Sequence, residues 1–515
     1  MPSPISMRRS FPFAFCILHL ASLSSCAPSS LDPNVITVAV RSGPTTLDPR
    51  QGNDESSQRV SQLIFNSIME WGDDLRVHPA LAERLENPDP LTYVAHLRRG
   101  IRFHDGHELT ARDVVYTFAA FLDPAFVSPI KGAYSLLRGV TAIDDYTVRF
   151  TLAEPFAAFP VQLVLPPVVP YDSGDRMRAF PVGTGPYRFV RYDTDDRIVL
   201  AAFDGFWKGP PDNAGLIVKV IPDDTMRGLD LRKGATDLVV NDLPPDIVHQ
   251  LTEDRSFRVE PSPGLDFSYI GFNMRDPVLA DRRVRHAIGY AIDRDAIIKY
   301  MRRGLARPAS GLLPEQAWAF EPDVHRFSYD PALAKRLLDE AGYRDPDGDG
   351  PRPRLHLSLK ISTNEETRLQ STVAQENLRR VGIDLDLRSY EFATFYADVL
   401  KGNFQMFSLT WTGGSIVNPD ILRRVFHSDQ IPPLGFNRGY YRNPDVDRLL
   451  DLATQSTDEH ERAQSYRQAQ TLVAEDAPYI PIWNRTNVIV AQQSLDGLHV
   501  NAIGDFQALR DVKRK

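Results

Sequence analysis

Apolar and polar positions along the chain change period in a way that marks out elements. Over residues 267–273, Phe267, Tyr269, Gly271 and Asn273 fall on one face and Ser268, Ile270 and Phe272 on the other, the period of a strand. From Val284 the period lengthens. Val284, Ala287, Ile288, Ala291 and Ile292 recur at helical spacing, with Arg282, Arg283 and Arg285 outside the stripe. Asp293 then offers a cap for a further short helix through Ile297 and Ile298.

The same alternation of strand and helix runs through the chain. Residues 35–40 read as a buried strand, followed by a turn-rich loop over 42–49. The next helix puts Val60, Leu63, Ile64, Ser67 and Ile68 on one face. Tyr93, Ala95 and Leu97 alternate as a strand, Asp105-Gly106 is a turn, and Thr110 with Asp113 forms a capping box. Asp330 caps a helix whose first position is Pro331, whose inner residues are Leu333, Leu337 and Leu338, and which Gly342 stops. Leu369, Val373 and Leu378 form another stripe ending at Gly382, before a strand alternating Ile383, Leu385 and Leu387 with Asp384, Asp386 and Arg388. A last long helix carries Ala463, Tyr466, Ala469, Leu472 and Val473. Residues 479–483 then return the chain to its first half. Helix and strand in alternation predict an α/β fold, and there is no convincing internal repeat.

Composition narrows the class. With 515 residues and 42% apolar content, the chain can bury a large core divided among two to four domains. Lys and Arg are scattered and the net charge is −8, so no basic patch for nucleic acid stands out. Cys16 and Cys26 are the only cysteines, which leaves the body without a disulfide or a cysteine metal site.

The N-terminus has Arg8 and Arg9, then an apolar run over 11–23 too short to span a bilayer, then Leu23-Ser24-Ser25-Cys26. This resembles the lipobox of bacterial lipoproteins. It implies a signal peptide over 1–25, export by either the general or the twin-arginine route, acylation of Cys26, and a lipid-anchored tether over 26–34.

Candidate chemistry is thin. His104, Asp105, His107 and Glu108 have the order H-x-x-H-E rather than the HExxH of zinc hydrolases, and read as a polar hairpin turn. Residues 345–350 (DPDGDG) begin like a calcium loop, but the twelfth position is His356 and not the required Glu. Gly413-Gly414-Ser415-Ile416-Val417 misses the last glycine of a nucleophile elbow. Gly183 and Gly185 are followed by no Lys-Ser/Thr, so they are not a phosphate loop. Nothing marks the chain as an enzyme, and no cofactor or metal site is expected.

Residues 265–298 are similar to the signature YxGFN…DxRVRxAIxxAIDR of the family 5 solute-binding proteins of ABC importers, which bind oligopeptides, dipeptides, nickel or oligosaccharides. Residues 93–118 (YVAHLRRGIRFHDGHELTARDVVYTF) and 181–187 (PVGTGPY) resemble the family as well. The resemblance implies a two-lobed periplasmic-binding-protein fold of type II, cluster C, with a hinge between the lobes and an extra inserted subdomain. It divides the chain into lobe 1 over 35–75, 182–276 and 484–515, the inserted subdomain over 76–181, and lobe 2 over 277–483. It further implies a monomer at the periplasm or cell surface that takes up di- to oligopeptides and hands them to the transmembrane subunits of an ABC permease. An oligosaccharide, drawing on Trp318, Trp411, Tyr440 and Tyr441, or a nickel chelate is the alternative ligand; a lipid-anchored hydrolase is a rival of another class.

Ligand-binding residues implied by the resemblance are Tyr269, Asn273, Trp411, Thr412, Gly413 and Gly414. In peptide binders of the family an Asp just after the Trp pairs with the ligand's α-amino group. Trp411-Thr412-Gly413 match that motif, but Gly414 stands where the Asp is expected. Asp420, Asp54 and Glu55 are the neighbouring acids that could stand in for it.

Overall fold

Two long strands, Phe257–Phe272 and Tyr479–Gln492, run antiparallel through the middle of an eleven-stranded sheet. The computed structural model describes residues 32–515 apart from residue 349, and the side chain of residue 415 is left aside. The signal segment over 1–25, Cys26 and residues 27–31 lie outside the described residues. Across the sheet the strands follow in the order Ile383–Tyr390, Leu355–Ser362, Met406–Trp411, the two long strands, Leu238–Val240, Val35–Val40, Gly215–Val220, Arg197–Ala202 and Tyr187–Asp193. The short strand Ala306–Pro308 adds to Tyr479–Gln492.

The long pair changes neighbours part-way. Residues 257–263 face 486–492, whose outer side carries Leu238–Val240. From Phe267 on, the pair faces Met406–Trp411 instead, with Phe267 opposite Trp411. The ladder is irregular between Pro263 and Phe267 and again between Ser268 and Tyr269. Pro261 and Pro263 lack an N–H, so they weaken hydrogen bonding just where the long pair changes neighbours. These two prolines and Gly264 also explain why the pattern predicts only the last part of this strand.

Local signals for helix ends hold. The Asp293 carboxylate accepts the Ala296 N–H, Asp330 accepts that of Leu333, and Asp113 accepts the Thr110 N–H in a capping box. Three expectations change. The helix Glu55–Ile64 stops short of Ser67, because the Ile64 carbonyl accepts from the Gly185 N–H instead of continuing the helix. Arg285, off the apolar stripe of Arg282–Ala291, is buried and donates to the carbonyls of Leu279, Ala280, Asp476 and Ala477; burial pulls its pKa down to about 10. On Glu365–Arg379, Leu369 faces solvent while Gln370, Ser371 and Asn377 face inward.

A separate four-stranded sheet orders Ala82–Asp89, Thr92–Leu97, Thr147–Leu152 and Leu137–Asp144 around Tyr93, Phe103, Phe118 and Phe150. His104 bolts this layer to the segment over 183–185. Its Nδ1 accepts the Gly183 N–H at 3.3 Å and its Nε2 donates to the Gly185 carbonyl at 3.0 Å. Burial pushes the imidazole pKa down to about 4, so the neutral ring with one donor and one acceptor is the form that fits. Gly183 and Gly185 are required by close approach: a Cβ on either would meet the Ile64 backbone at 2.8 Å or less.

Candidate functional site

Strand Met406–Trp411 ends beside the irregular stretch of the long pair, and the loop that follows carries the ligand-site motif. The Gly413 N–H donates to Asp266 Oδ1 at 2.8 Å, and Asp266 Oδ2 lies 3.1 Å from Arg485 Nε on the other long strand. A Cβ on Gly413 would stand 3.2 Å from the Ile503 carbonyl, so the glycine allows the loop to lie against the C-terminal segment. Thr412 and Gly414 are exposed, and a Cβ on Gly414 would meet nothing within 4 Å. Trp411 at the strand's end and Thr412, Gly413 and Gly414 directly after it thus lie beside the irregular stretch of the long pair.

Trp411 is 8% exposed. Its ring meets Phe436 edge-on at 5.2 Å, and the Arg438 guanidinium lies 4.8 Å from its centroid. The buried indole N–H has no acceptor among the described residues. Arg438 is 4% exposed and has no carboxylate partner among them. Its Nη1 donates to the Tyr269 hydroxyl at 3.3 Å and its Nη2 to that of Tyr396 at 2.9 Å, while the buried Nε has no acceptor. Burial works against its charge, but the surrounding phenol oxygens outweigh that effect and hold its pKa above the ordinary value.

Tyr269 and Asn273 sit behind this loop. Tyr269 is fully buried, with Phe267 on one face at 5.4 Å and Tyr479 on the other at 4.2 Å, so its ring has no free face. What it offers is the hydroxyl that accepts from Arg438. Asn273 donates to the carbonyls of Gly402 and Phe404 and accepts the Arg275 N–H, tying the strand end to the helix Phe392–Lys401 and the turn after it.

The three acids that could replace the missing Asp are committed elsewhere. Asp420 accepts from Tyr466 and from Arg462 at 2.9 Å. Asp54 caps its helix through the Ser57 N–H and accepts two hydroxyls; burial opposes ionisation, but these hydrogen bonds win and lower its pKa. Glu55 pairs with Arg59 at 2.6 Å. The aromatic residues named for a sugar are also occupied: Tyr441 donates to Asp476, Arg275 stacks 3.3 Å from the Tyr440 centroid, and Trp318 lies near Arg76 and Arg462. Among the described residues no group of three or more His, Cys, Asp or Glu side chains converges to hold a metal ion.

Sequence reasoning missed Arg438, Tyr396, Phe436 and Arg424. The Arg424 guanidinium lies 4.4 Å from the Phe436 ring centroid and also lacks a carboxylate partner among the described residues. The available signal was one arginine set in an aromatic run, Phe436-Asn437-Arg438-Gly439-Tyr440-Tyr441.

Residues 76–432 match the family model described as bacterial extracellular solute-binding proteins, family 5 Middle. The chain is 30% identical over 452 residues to heme-binding protein A of Haemophilus influenzae, covering 82% of each chain. It is 29% identical over 493 residues to the glutathione-binding protein GsiB of Escherichia coli K12, covering 93% of this chain and 94% of that one. In three dimensions it is similar to HbpA2 from Haemophilus parasuis, with a TM-score of 0.82, 26% identity, and coverage of 93% of this chain and all of the other.

Proposed function

The chain belongs to the family 5 bacterial extracellular solute-binding proteins, and on that footing we propose that it captures short peptides outside the cytoplasmic membrane and delivers them to an ABC permease. Its fold is the two-lobed type II binding-protein fold, in which ligand in the cleft stabilises the closed arrangement through its greater affinity for that arrangement. The observation that carries the reading is the Gly413 N–H on Asp266. It links the loop bearing Trp411 to the stretch where the long strands change neighbours, so contact at the loop and bending at the join are mechanically connected. A peptide ligand draws support from the likeness to a glutathione-binding protein, since glutathione is a tripeptide.

In this reading the protein is a monomer held at the membrane by a lipid on Cys26, works without a cofactor, and carries out no covalent step. Native mass spectrometry of the purified mature chain tests the ligand. A set of adducts of peptide mass that disappears on denaturation supports the proposal; one adduct of sugar or metal-chelate mass overturns the peptide reading. Membrane fractionation tests the anchor: Cys26→Ala is expected to release the protein into the soluble fraction, and retention would sink the lipid claim.

A further inference from the structure

Four facts converge at the loop after Trp411. Gly414 brings no charge to the loop. Asp420, Asp54 and Glu55 are held by other groups, and Asp266 is held by Gly413 and Arg485. Two guanidinium groups, Arg438 and Arg424, flank the Phe436 ring at 5.1 and 4.4 Å with no carboxylate partner among the described residues. Finally, the Arg438 Nε and the Trp411 indole N–H are buried donors without an acceptor among the described residues, and the guanidinium carbon lies 4.8 Å from the indole centroid.

Buried donors in native proteins are nearly always satisfied, and a buried cation without a counter-charge is costly. An ammonium brought to this wall would meet like charge and more unsatisfied donors. A carboxylate would supply acceptors for both orphan groups and a counter-charge for the guanidinium. Resting on the solute-binding reading above, we propose that the Trp411 wall receives a carboxylate of the ligand, with Arg438 as its counter-charge, in place of the α-amino group. Tyr269 and Tyr396 then serve as the acceptors that orient Arg438 from behind.

The test uses the mature chain with trialanine, N-acetyl-trialanine and trialanine amide, and with phenylacetate and phenylacetamide as non-peptide probes, by calorimetry and thermal shift. The proposal expects acetylation to change the affinity by no more than about 3-fold and amidation to weaken it by about 30-fold or more. Arg438→Met should make acid and amide bind alike, while Arg438→Lys keeps part of the preference. Circular dichroism checks that these variants fold. If Arg438→Met does not fold, Gly414→Asp carries the test, because its Cβ meets nothing within 4 Å. It should weaken the acid probes and spare the amide.

Loss of binding on acetylation with no effect of amidation would overturn the carboxylate wall while leaving the peptide reading in place. Stabilisation by phenylacetate but not phenylacetamide, lost in Arg438→Met and with no peptide bound, would do the opposite: the wall stands and the peptide reading fails. No response to any acid probe overturns the wall.

Discussion

Arg76 Nη1 lies 2.6 Å from Glu459 Oε2, joining residues 383 positions apart. Arg76 follows the hairpin turn between the strands Met69–Trp71 and Val77–Pro79, and Glu459 opens the last long helix. Beside it, Leu75 is held at φ +56° and is 1% exposed, within the same apolar cluster as Trp411, Phe426 and Tyr466. A leucine in the left-handed region costs about 1–2 kcal/mol, so its burial must offset that cost.

Magnitudes decide which of the two contacts matters. The ion pair joins side chains that are 42% and 57% exposed, and such pairs contribute about 0–1 kcal/mol. Truncating a buried leucine costs about 2–5 kcal/mol. Leu75→Ala is therefore expected to raise the radius of gyration of the ligand-free protein in small-angle scattering, and Arg76→Ala to leave it nearly unchanged. Equal behaviour of the two variants would show that the hairpin tip does not hold the lobes together.

His104 gives the protein a pH-dependent joint. Its pKa is about 4 in the folded chain against about 6.5 when unfolded, so between those values the unfolded state binds more protons. The contribution is complete above about pH 6.5 and is lost as the pH falls toward 4, amounting to about 2 kcal/mol at pH 5. The melting temperature of the wild type should fall more between pH 7.5 and 5 than that of His104→Gln. Parallel falls would mean that the ring is not held neutral by its two glycine contacts.

Gly183→Ala puts a Cβ 2.1 Å from the Ile64 carbonyl oxygen, where backbone must move. Overpacking of this kind costs about 1–3 kcal/mol. A chemical denaturation midpoint equal to that of the wild type would contradict the close approach.

Gln370 accepts the Trp483 indole N–H at 2.6 Å and donates to the Ser268 hydroxyl at 3.2 Å. Gln370→Leu leaves both groups buried without that partner, at a cost of about 1–3 kcal/mol. Denaturant unfolding reads this directly, and a variant as stable as the wild type would sink the assignment.

The same residue shows where sequence legibility ends. Capping by Asp293, Asp330 and Asp113 is legible because donor and acceptor lie within three residues of each other. The inward face of Glu365–Arg379 is not, since Gln370 and Asn377 are drawn in by Trp483, Ser268 and the Asp293 N–H, which are far away in the chain. The spacing predicts an apolar stripe through Leu369, and polar partners override it. At the candidate site, motif order points to Trp411 at a strand end and to Thr412, Gly413 and Gly414 after it. Arg438 is not legible in the sequence, because its burial among Tyr269, Tyr396 and Trp411 is a property of three-dimensional arrangement alone.

Pro261, Pro263 and the irregular ladder after them have a practical consequence. Regular hydrogen bonding resumes on both sides, so each half of the sheet can keep its shape while the sheet folds along the line between them, as a plate folds along a score. Dyes attached to the two halves would then report the opening angle without disturbing either ladder. A ligand that bends the sheet along this line would be followed through the distance between two labels.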